Sequence, residues 1–343
     1  MAGPLALAGV LAVAIAGCGS SSSSSSSSAV ASSASTSTPT TTSTQAAATP
    51  APGLALAEHP SLRTFPAAGG RTLQQVATVA HGQVSFGAAT GVFTPGTRRV
   101  AFGLNTSAGG FVYAPTAVYI ATSPSSPAQG PFLAPADPMT VEPQYRSRQN
   151  SGPGGIQAIY AANVPIPHPG TYTILALTRY GNTFIGAPGQ IAVAASSPIP
   201  NVGERPPAIA TDTAASVGGN TALLTTRIPP EDMHAVSFKD VLGKQPVALL
   251  FSTPQLCVSK VCGPVTDIAV QVQHQFGNRV TFIHQEVYVN NQPSQGLRPQ
   301  LKAFHLETEP WLFVVNRRGV ITARLEGAFG VNEVTSALQA ALR

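Results

Sequence analysis

Short apolar runs broken by turn residues dominate the chain up to about residue 197, and helical periodicity enters only in the last third. Between residues 72 and 195, β-formers gather at 83–86, 99–104, 117–121, 156–161, 172–177 and 190–194. Turn formers separate them: Thr94-Pro95-Gly96, Ala108-Gly109-Gly110, residues 124–127, residues 152–155 and His168-Pro169-Gly170. Proline interrupts because it fixes φ and donates no amide hydrogen, glycine because it reaches left-handed backbone at no steric cost. Many short strands at this spacing, almost without i, i+3, i+4 recurrence, predict a β-sandwich over 72–197.

Beyond residue 236 the period changes. A short amphipathic turn at 238–242 leads to Gly243. Residues 247–251, VALLF, form a continuous apolar run, the pattern of a strand covered on both faces. A turn with Cys257 and Cys262 follows, and then Val265, Ile268, Ala269 and Val272 recur at helical spacing up to a stopping Gly277. Residues 280–289, VTFIHQEVYV, predict a second, parallel strand, and 290–296 a loop. An interrupted helix is expected at 297–304, a strand at 311–315, and a hairpin through Asn316-Arg317-Arg318-Gly319 into 320–325. A last helix spans about 331–342. This β–α–β–α–β–β–α order defines an α/β domain over 236–343.

Upstream, residues 5–16 are an apolar stretch of secretory-signal length, too short to span a bilayer. Residues 20–28 are all serine, and Ala, Ser, Thr and Pro continue to about 57. Such a composition cannot bury enough apolar surface to offset chain entropy, so 19–57 is expected to be a disordered tether with a reach of roughly 35 Å. Residues 198–235, with Arg205-Pro206-Pro207 and Pro229-Pro230, read as a linker.

Charge adds little. Only 10% of residues are charged, and the net charge of +5 has no focus, since Arg98-Arg99 and Arg317-Arg318 are isolated pairs read as solvated. No nucleic-acid groove is implied. The three cysteines are Cys18, Cys257 and Cys262. Cys18 closes the signal, which leaves the mature domains a single pair. That count suits an oxidising compartment and argues against a zinc site. His81 and His168 read as surface or turn residues. No metal and no cofactor are expected.

Three resemblances extend this reading. Ile15-Ala16-Gly17-Cys18 resembles a bacterial lipobox, although no Lys or Arg precedes the apolar stretch. The resemblance implies a signal peptide over 1–18, lipidation of Cys18 and a location on the outer face of the cell membrane; secretion with cleavage nearby is the alternative. Residues 167–174, PHPGTYTI, resemble the late hairpin of immunoglobulin-like modules. The stretch 236–343 resembles the thioredoxin fold. Its marks are the strand–Cys–helix junction, Glu309-Pro310-Trp311 where the family has its cis-proline, the Asn-Arg-Arg-Gly hairpin, and a closing glycine in Arg324-Leu325-Glu326-Gly327. A phrase that often enters such domains is echoed in Gly203-Glu204-Arg205-Pro206-Pro207. The whole chain looks like secreted bacterial thioredoxin-domain lipoproteins.

That resemblance implies Cys257 as the attacking thiol, favoured as a thiolate near a helix start, and Cys262 as the resolving one. It implies that Glu309 and a cis-Pro310 shape a groove for an extended substrate. The family separates its cysteines by two residues, and here there are four. Five steps along an ideal helix turn the side chains apart by about 140° and separate the Cα atoms by roughly 8–9 Å, beyond the limit of about 7 Å for a disulfide. One cysteine must therefore leave the helix, or the first turn must unwind, and Pro264 disfavours a regular helix through 260–264. Lys260 would add positive charge beside the pair, although a solvated lysine is the plainer reading.

Three functions remain open. One is thiol–disulfide exchange with a protein disulfide substrate or reductant. Another is peroxide reduction, because Thr253-Pro254-Gln255-Leu256-Cys257 with Cys262 resembles atypical two-cysteine peroxiredoxins, though the threonine stands four rather than three residues before the first cysteine. The third is a non-enzymatic binding module with a structural disulfide. Copper delivery, which in this fold pairs two cysteines with a distant histidine, has His284 and His305 to draw on, neither in a matching motif. Glu286 is either a buried proton acceptor beneath the cysteines or an edge carboxylate.

Overall fold

The computed structural model describes residues 50–150 and 155–343. Cys18, the apolar stretch before it, residues 19–49 of the tether and the turn at 151–154 lie outside the described residues. The described residues fall in one compact unit. Among them, no helix is long and apolar enough to cross a membrane.

The first half opens with α1 (Leu54–Ala57), a single 3-10 turn at Leu62–Thr64 and α2 (Leu73–Ala77). Nine strands follow: β1 (Ala80–Gln83), β2 (Ser85–Ala88), β3 (Gly96–Asn105), β4 (Thr116–Ala121), β5 (Gln129–Leu133), β6 (Ala136–Pro138), β7 (Ala158–Ile166), β8 (Gly170–Tyr180) and β9 (Thr183–Val193). They form two sheets, ordered β1-β9-β8-β4-β5 and β2-β3-β7-β6, antiparallel except for β1 against β9. Alternation aims Val100, Phe102 and Leu104 of β3 and Tyr160, Ala162 and Val164 of β7 into a core shared with Val118, Ile120, Ile174 and Ala176 of the facing sheet. At the corner entering β8, the Tyr172 hydroxyl donates to the His168 carbonyl at 3.1 Å. His81 and His168 are exposed.

The second half contains α3 (Phe238–Val241), β10 (Val247–Phe251), α4 (Cys262–Phe276), β11 (Thr281–Gln285), α5 (Pro299–Ala303), β12 (Trp311–Val315), β13 (Ile321–Glu326) and α6 (Val331–Ala341). Its sheet runs β11-β10-β12-β13, with β10 and β11 parallel and β12 antiparallel to both its neighbours. All five residues of β10 and of β12 are buried, because both faces of the sheet are covered. Period-2 alternation sends Leu249, Phe251, Trp311 and Phe313 to one side, against Phe238 and Phe304. It sends Ala248, Leu250, Leu312 and Val314 to the other, against α4 and α6. The turn after β12 closes as expected, with Asn316 N–H donating to Val320 O at 2.9 Å and Gly319 at φ 75°.

Four expectations are corrected. The expected tether runs too far: Leu54 and Ala57, three residues apart on α1, insert into the core of the first half. Residues 198–235 are no loose linker, since Leu224, Arg227, Met233 and His234 are all buried. Nor does 198–235 part the β-sandwich expected over 72–197 from the α/β domain expected over 236–343, because one apolar cluster holds Ala101, Met139, Val141 and Ile159 together with residues of α4, β12 and α6. Finally, Arg99 is not a solvated charge. Its guanidinium makes two 2.6 Å bonds to Glu333 and donates to the carbonyls of Glu326 (3.0 Å) and Ala328 (2.7 Å) across that junction.

Candidate active site

β10 ends at Phe251 and α4 begins at Cys262, so the intervening turn decides what chemistry the junction holds. Cys257 lies in that turn and Cys262 is the first residue of the helix. The two are joined as a disulfide with their Cα atoms 6.0 Å apart. The conflict between helix geometry and a four-residue spacing is resolved by putting only one cysteine on the helix. Lys260, at φ 59°, turns the chain back, with its amide donating to Cys257 O at 3.2 Å. Pro264 sits in the first helical turn, where its missing amide costs no intrahelical bond.

The helix therefore starts at Cys262 rather than near Cys257, so the helix-start position expected of Cys257 falls to Cys262. Cys257 is the more accessible, at 8% exposure against 0% for Cys262. Cys262 sits where the helix amides and dipole favour a thiolate. The Ser259 hydroxyl donates to Cys257 Sγ at 3.1 Å. Thr266 Oγ1 donates to the Cys262 carbonyl at 2.8 Å and lies 2.9 Å from the hydroxyl of Ser252, which fixes the first turn of α4 to the end of β10. Val258, at 91% exposure, holds the tip of the turn in solvent above the buried sulfurs.

The Glu309–Pro310 peptide is cis, as the resemblance implied. It presents a carboxyl to the sulfurs: one Glu309 oxygen and the sulfurs of Cys257 and Cys262 all lie within 4.8 Å of one another. Burial pushes the Glu309 carboxyl above its ordinary pKa. The sequence named Glu309 for substrate contact; its closeness to the sulfurs adds a proton-transfer capability that the sequence alone did not suggest. Beside this group opens a cleft of about 820 Å³. Ser259, Lys260, Thr308 and Glu309 form one side, and Ala88 at the end of β2 and Ala89 and Thr90 after it, with Phe111 and Ile156, form the other. The first half thus walls the cysteine turn. It is held there by Glu326, whose carboxylate accepts from the amides of Gly91 (2.9 Å) and Val92 (3.0 Å).

Glu286 directly follows β11, the edge strand of its sheet, yet it is buried rather than solvated. Its Oε1 accepts 2.7 Å bonds from the amide and the hydroxyl of Thr226, and Thr226 Oγ1 accepts from the Gln255 amide in the cysteine turn at 3.0 Å. His284 is also fully buried, whereas His305 is exposed. One group that the sequence reading missed surrounds His284. Glu231 Oε1 lies 2.6 Å from His284 Nδ1 and 2.7 Å from His234 Nε2. Burial alone would raise the Glu231 carboxyl, but the two rings hold it well below the usual carboxylate range. Burial alone would lower His284, but Glu231 raises it. Glu231 and His234 sit in the stretch taken for a linker, so nothing in the local pattern linked them to a strand residue 50 positions on.

No family model and no curated protein matches the chain. Among solved structures, a chain described as the thiol:disulfide interchange protein DsbE from Chlorobium tepidum is similar to it. The identity is 14%, the match covers 42% of this chain and 99% of that one, and the TM-score is 0.31.

Proposed function

We propose that the protein is a thiol–disulfide oxidoreductase with a thioredoxin-like second half, walled by an immunoglobulin-like sandwich and tethered outside the cell by a lipid on Cys18. The observation that carries the activity is the Cys257–Cys262 disulfide at the head of α4 with the Glu309 carboxyl within 4.8 Å of both sulfurs. The strand order β11-β10-β12-β13 and the cis-Pro310 support the thioredoxin-like reading. The A-B-E-D-like order of β2-β3-β7-β6 and the Tyr172–His168 corner support the immunoglobulin-like one. The tether and its membrane location rest on Ile15-Ala16-Gly17-Cys18.

In the exchange, a substrate thiolate attacks Cys257 Sγ, the more accessible sulfur. The Sγ–Sγ bond breaks and Cys262 leaves as a thiolate, eased by the helix amides and protonated by Glu309. The second substrate thiol, giving its proton to the Glu309 carboxylate, displaces Cys257 from the mixed disulfide, and the departing Cys257 thiolate takes from water the proton that the first substrate thiol had released there. Two electrons have then passed to the protein, which holds two thiols, and the substrate holds a disulfide. The reverse sequence reduces a substrate, with Cys257 attacking and Cys262 resolving. Cys262→Ser in the full chain should accumulate a mixed disulfide at Cys257 when offered an oxidised peptide.

The burial of both sulfurs favours one other reading, a binding module in which the bond only staples the turn. A reduction potential above about −300 mV together with the trapped adduct supports exchange. A potential below that value and no adduct would leave the staple. For the tether, Cys18→Ala should move the protein from the membrane to the soluble fraction.

A further inference from the structure

We propose that Glu231, His234 and His284 form a binding site for a divalent cation of the zinc class, which clamps the 225–235 segment to β11. One donor atom from each residue lies within 4.8 Å of the other two. The side chains of Glu231 and His284 are fully buried, and that of His234 is 4% exposed. Two imidazoles and one carboxylate are a set that borderline divalent ions, zinc above all, accept.

Proton counting on His284 sharpens the case. Its Nε2 lies 3.0 Å from the Ser252 carbonyl, which only accepts, so the ring proton belongs on Nε2. Nδ1 of the neutral ring then directs a lone pair at Glu231 Oε1, another acceptor, 2.6 Å away. Two acceptors at that distance need a cation between them. A metal ion supplies it, and the same oxygen also meets His234 Nε2 at 2.7 Å, so three donors converge on one point.

The surroundings fit ligand roles. Ser252 O fixes the tautomer and angle of His284, and Thr225 Oγ1 donates to Glu231 Oε2 at 3.0 Å, leaving Oε1 for the ion. His234 Nδ1 is buried with no partner among the described residues, so hydrogen bonding on its far side does not fix this ring. Bond lengths of about 2.0–2.1 Å in a tetrahedral site place donor atoms roughly 3.3 Å apart, so the two carboxylate–imidazole pairs need to open by less than about 1 Å. A second proton on His284 is the competing cation.

The experiment uses the tag-free full chain, stripped with chelator and kept oxidised, so that Cys257 and Cys262 cannot ligate. Cobalt(II) is the probe, with zinc as competitor. The expected result is one equivalent of Co(II) giving tetrahedral d–d absorption without a thiolate charge-transfer band, displaced by zinc. Excess zinc should also raise the thermal midpoint. His234→Ala should weaken Co(II) at least tenfold and remove the thermal shift. Glu231→Gln tests the carboxylate, and if it fails to fold, the His234 variant and the wild-type spectrum decide. Absence of the d–d bands in the wild type, or equal binding by His234→Ala, overturns the site and leaves a protonated His284–Glu231 pair.

Discussion

In the proposed exchange, Glu309 is the residue whose protonation the chemistry turns on. Burial raises its pKa, so a fraction of the folded protein keeps an acid beside the sulfurs at pH values where an exposed glutamate has lost its proton. In that proposal, oxidation of a dithiol uses the acid form to protonate the departing Cys262. Its rate, normalised to substrate thiolate, should therefore fall as pH rises through the Glu309 pKa. Glu309→Gln keeps the shape and removes the proton transfer, and should slow oxidation about tenfold or more and flatten that descent. An unchanged stopped-flow pH profile would assign the proton to water. At this scale the cysteines and Pro310 were legible, because covalent chemistry and a proline imide are written in residue identity alone. The nearness of Glu309 to the sulfurs, and of Glu231 to His284, was not, since each joins positions about 50 apart that only the folded sheet brings together.

Among elements, legibility followed the strength of the hydrophobic period. β10 and β12 are unbroken apolar runs, and α4 and α6 hold a helical stripe over three or more turns, so all four stood out. β5 contains Gly130-Pro131, and β9 opens with Gly186, Pro188 and Gly189 in its first seven residues, so turn formers hid strands that the paired neighbour dictates. α1 was hidden by the Ala, Ser, Thr and Pro composition around it. The Gly327 that ends β13 has a role the sequence only echoed. Its φ is 69°, and a Cβ there would lie 1.8 Å from Ala89 O in the cleft wall. Its amide donates to Pro310 O at 2.8 Å, so it cannot simply withdraw. Gly327→Ala should cost about 1–2 kcal/mol from the left-handed backbone and about 1–3 kcal/mol from the collision. Urea denaturation would read the sum, and a loss under about 1 kcal/mol would show that the wall yields freely.

At the scale of the whole molecule, the two halves are locked by polar groups that each half lends the other. Asp137, on β6, accepts from the amides of Asn332 (3.0 Å) and Glu333 (2.9 Å) and so caps α6 across the junction. Burial pushes its carboxyl up to about 6, with Glu333 adding to the rise and the two amides and Arg99 opposing it. A carboxyl raised on folding favours the folded state fully below its unfolded pKa of about 3.9, and that contribution is lost as pH rises through 6. The loss is on the order of 3 kcal/mol. The stability of the wild type relative to Asp137→Asn should accordingly decline between pH 4 and 7, and a flat difference would refute the shift. A second lock governs whether the halves separate. Asp267 of α4 pairs with Arg227 at 2.9 Å and accepts from Ser147 N–H (2.9 Å) and Asn150 (3.0 Å) of the first half. Arg227 also donates to Tyr145 O and Pro229 O, both at 2.7 Å. Breaking one side of such a buried pair costs about 3–5 kcal/mol, because the other charge stays desolvated. Trypsin offers a clean readout, since 198–235 contains just two arginines and no lysine, and Arg205 precedes a proline that blocks cleavage. Cutting within that segment therefore requires Arg227 to leave its partners. The native chain should resist there and yield one core holding both halves, while Asp267→Asn should release a cut after Arg227. Rapid cleavage at Arg227 in the unmodified protein would mean that the halves part readily and the lock is not closed in solution.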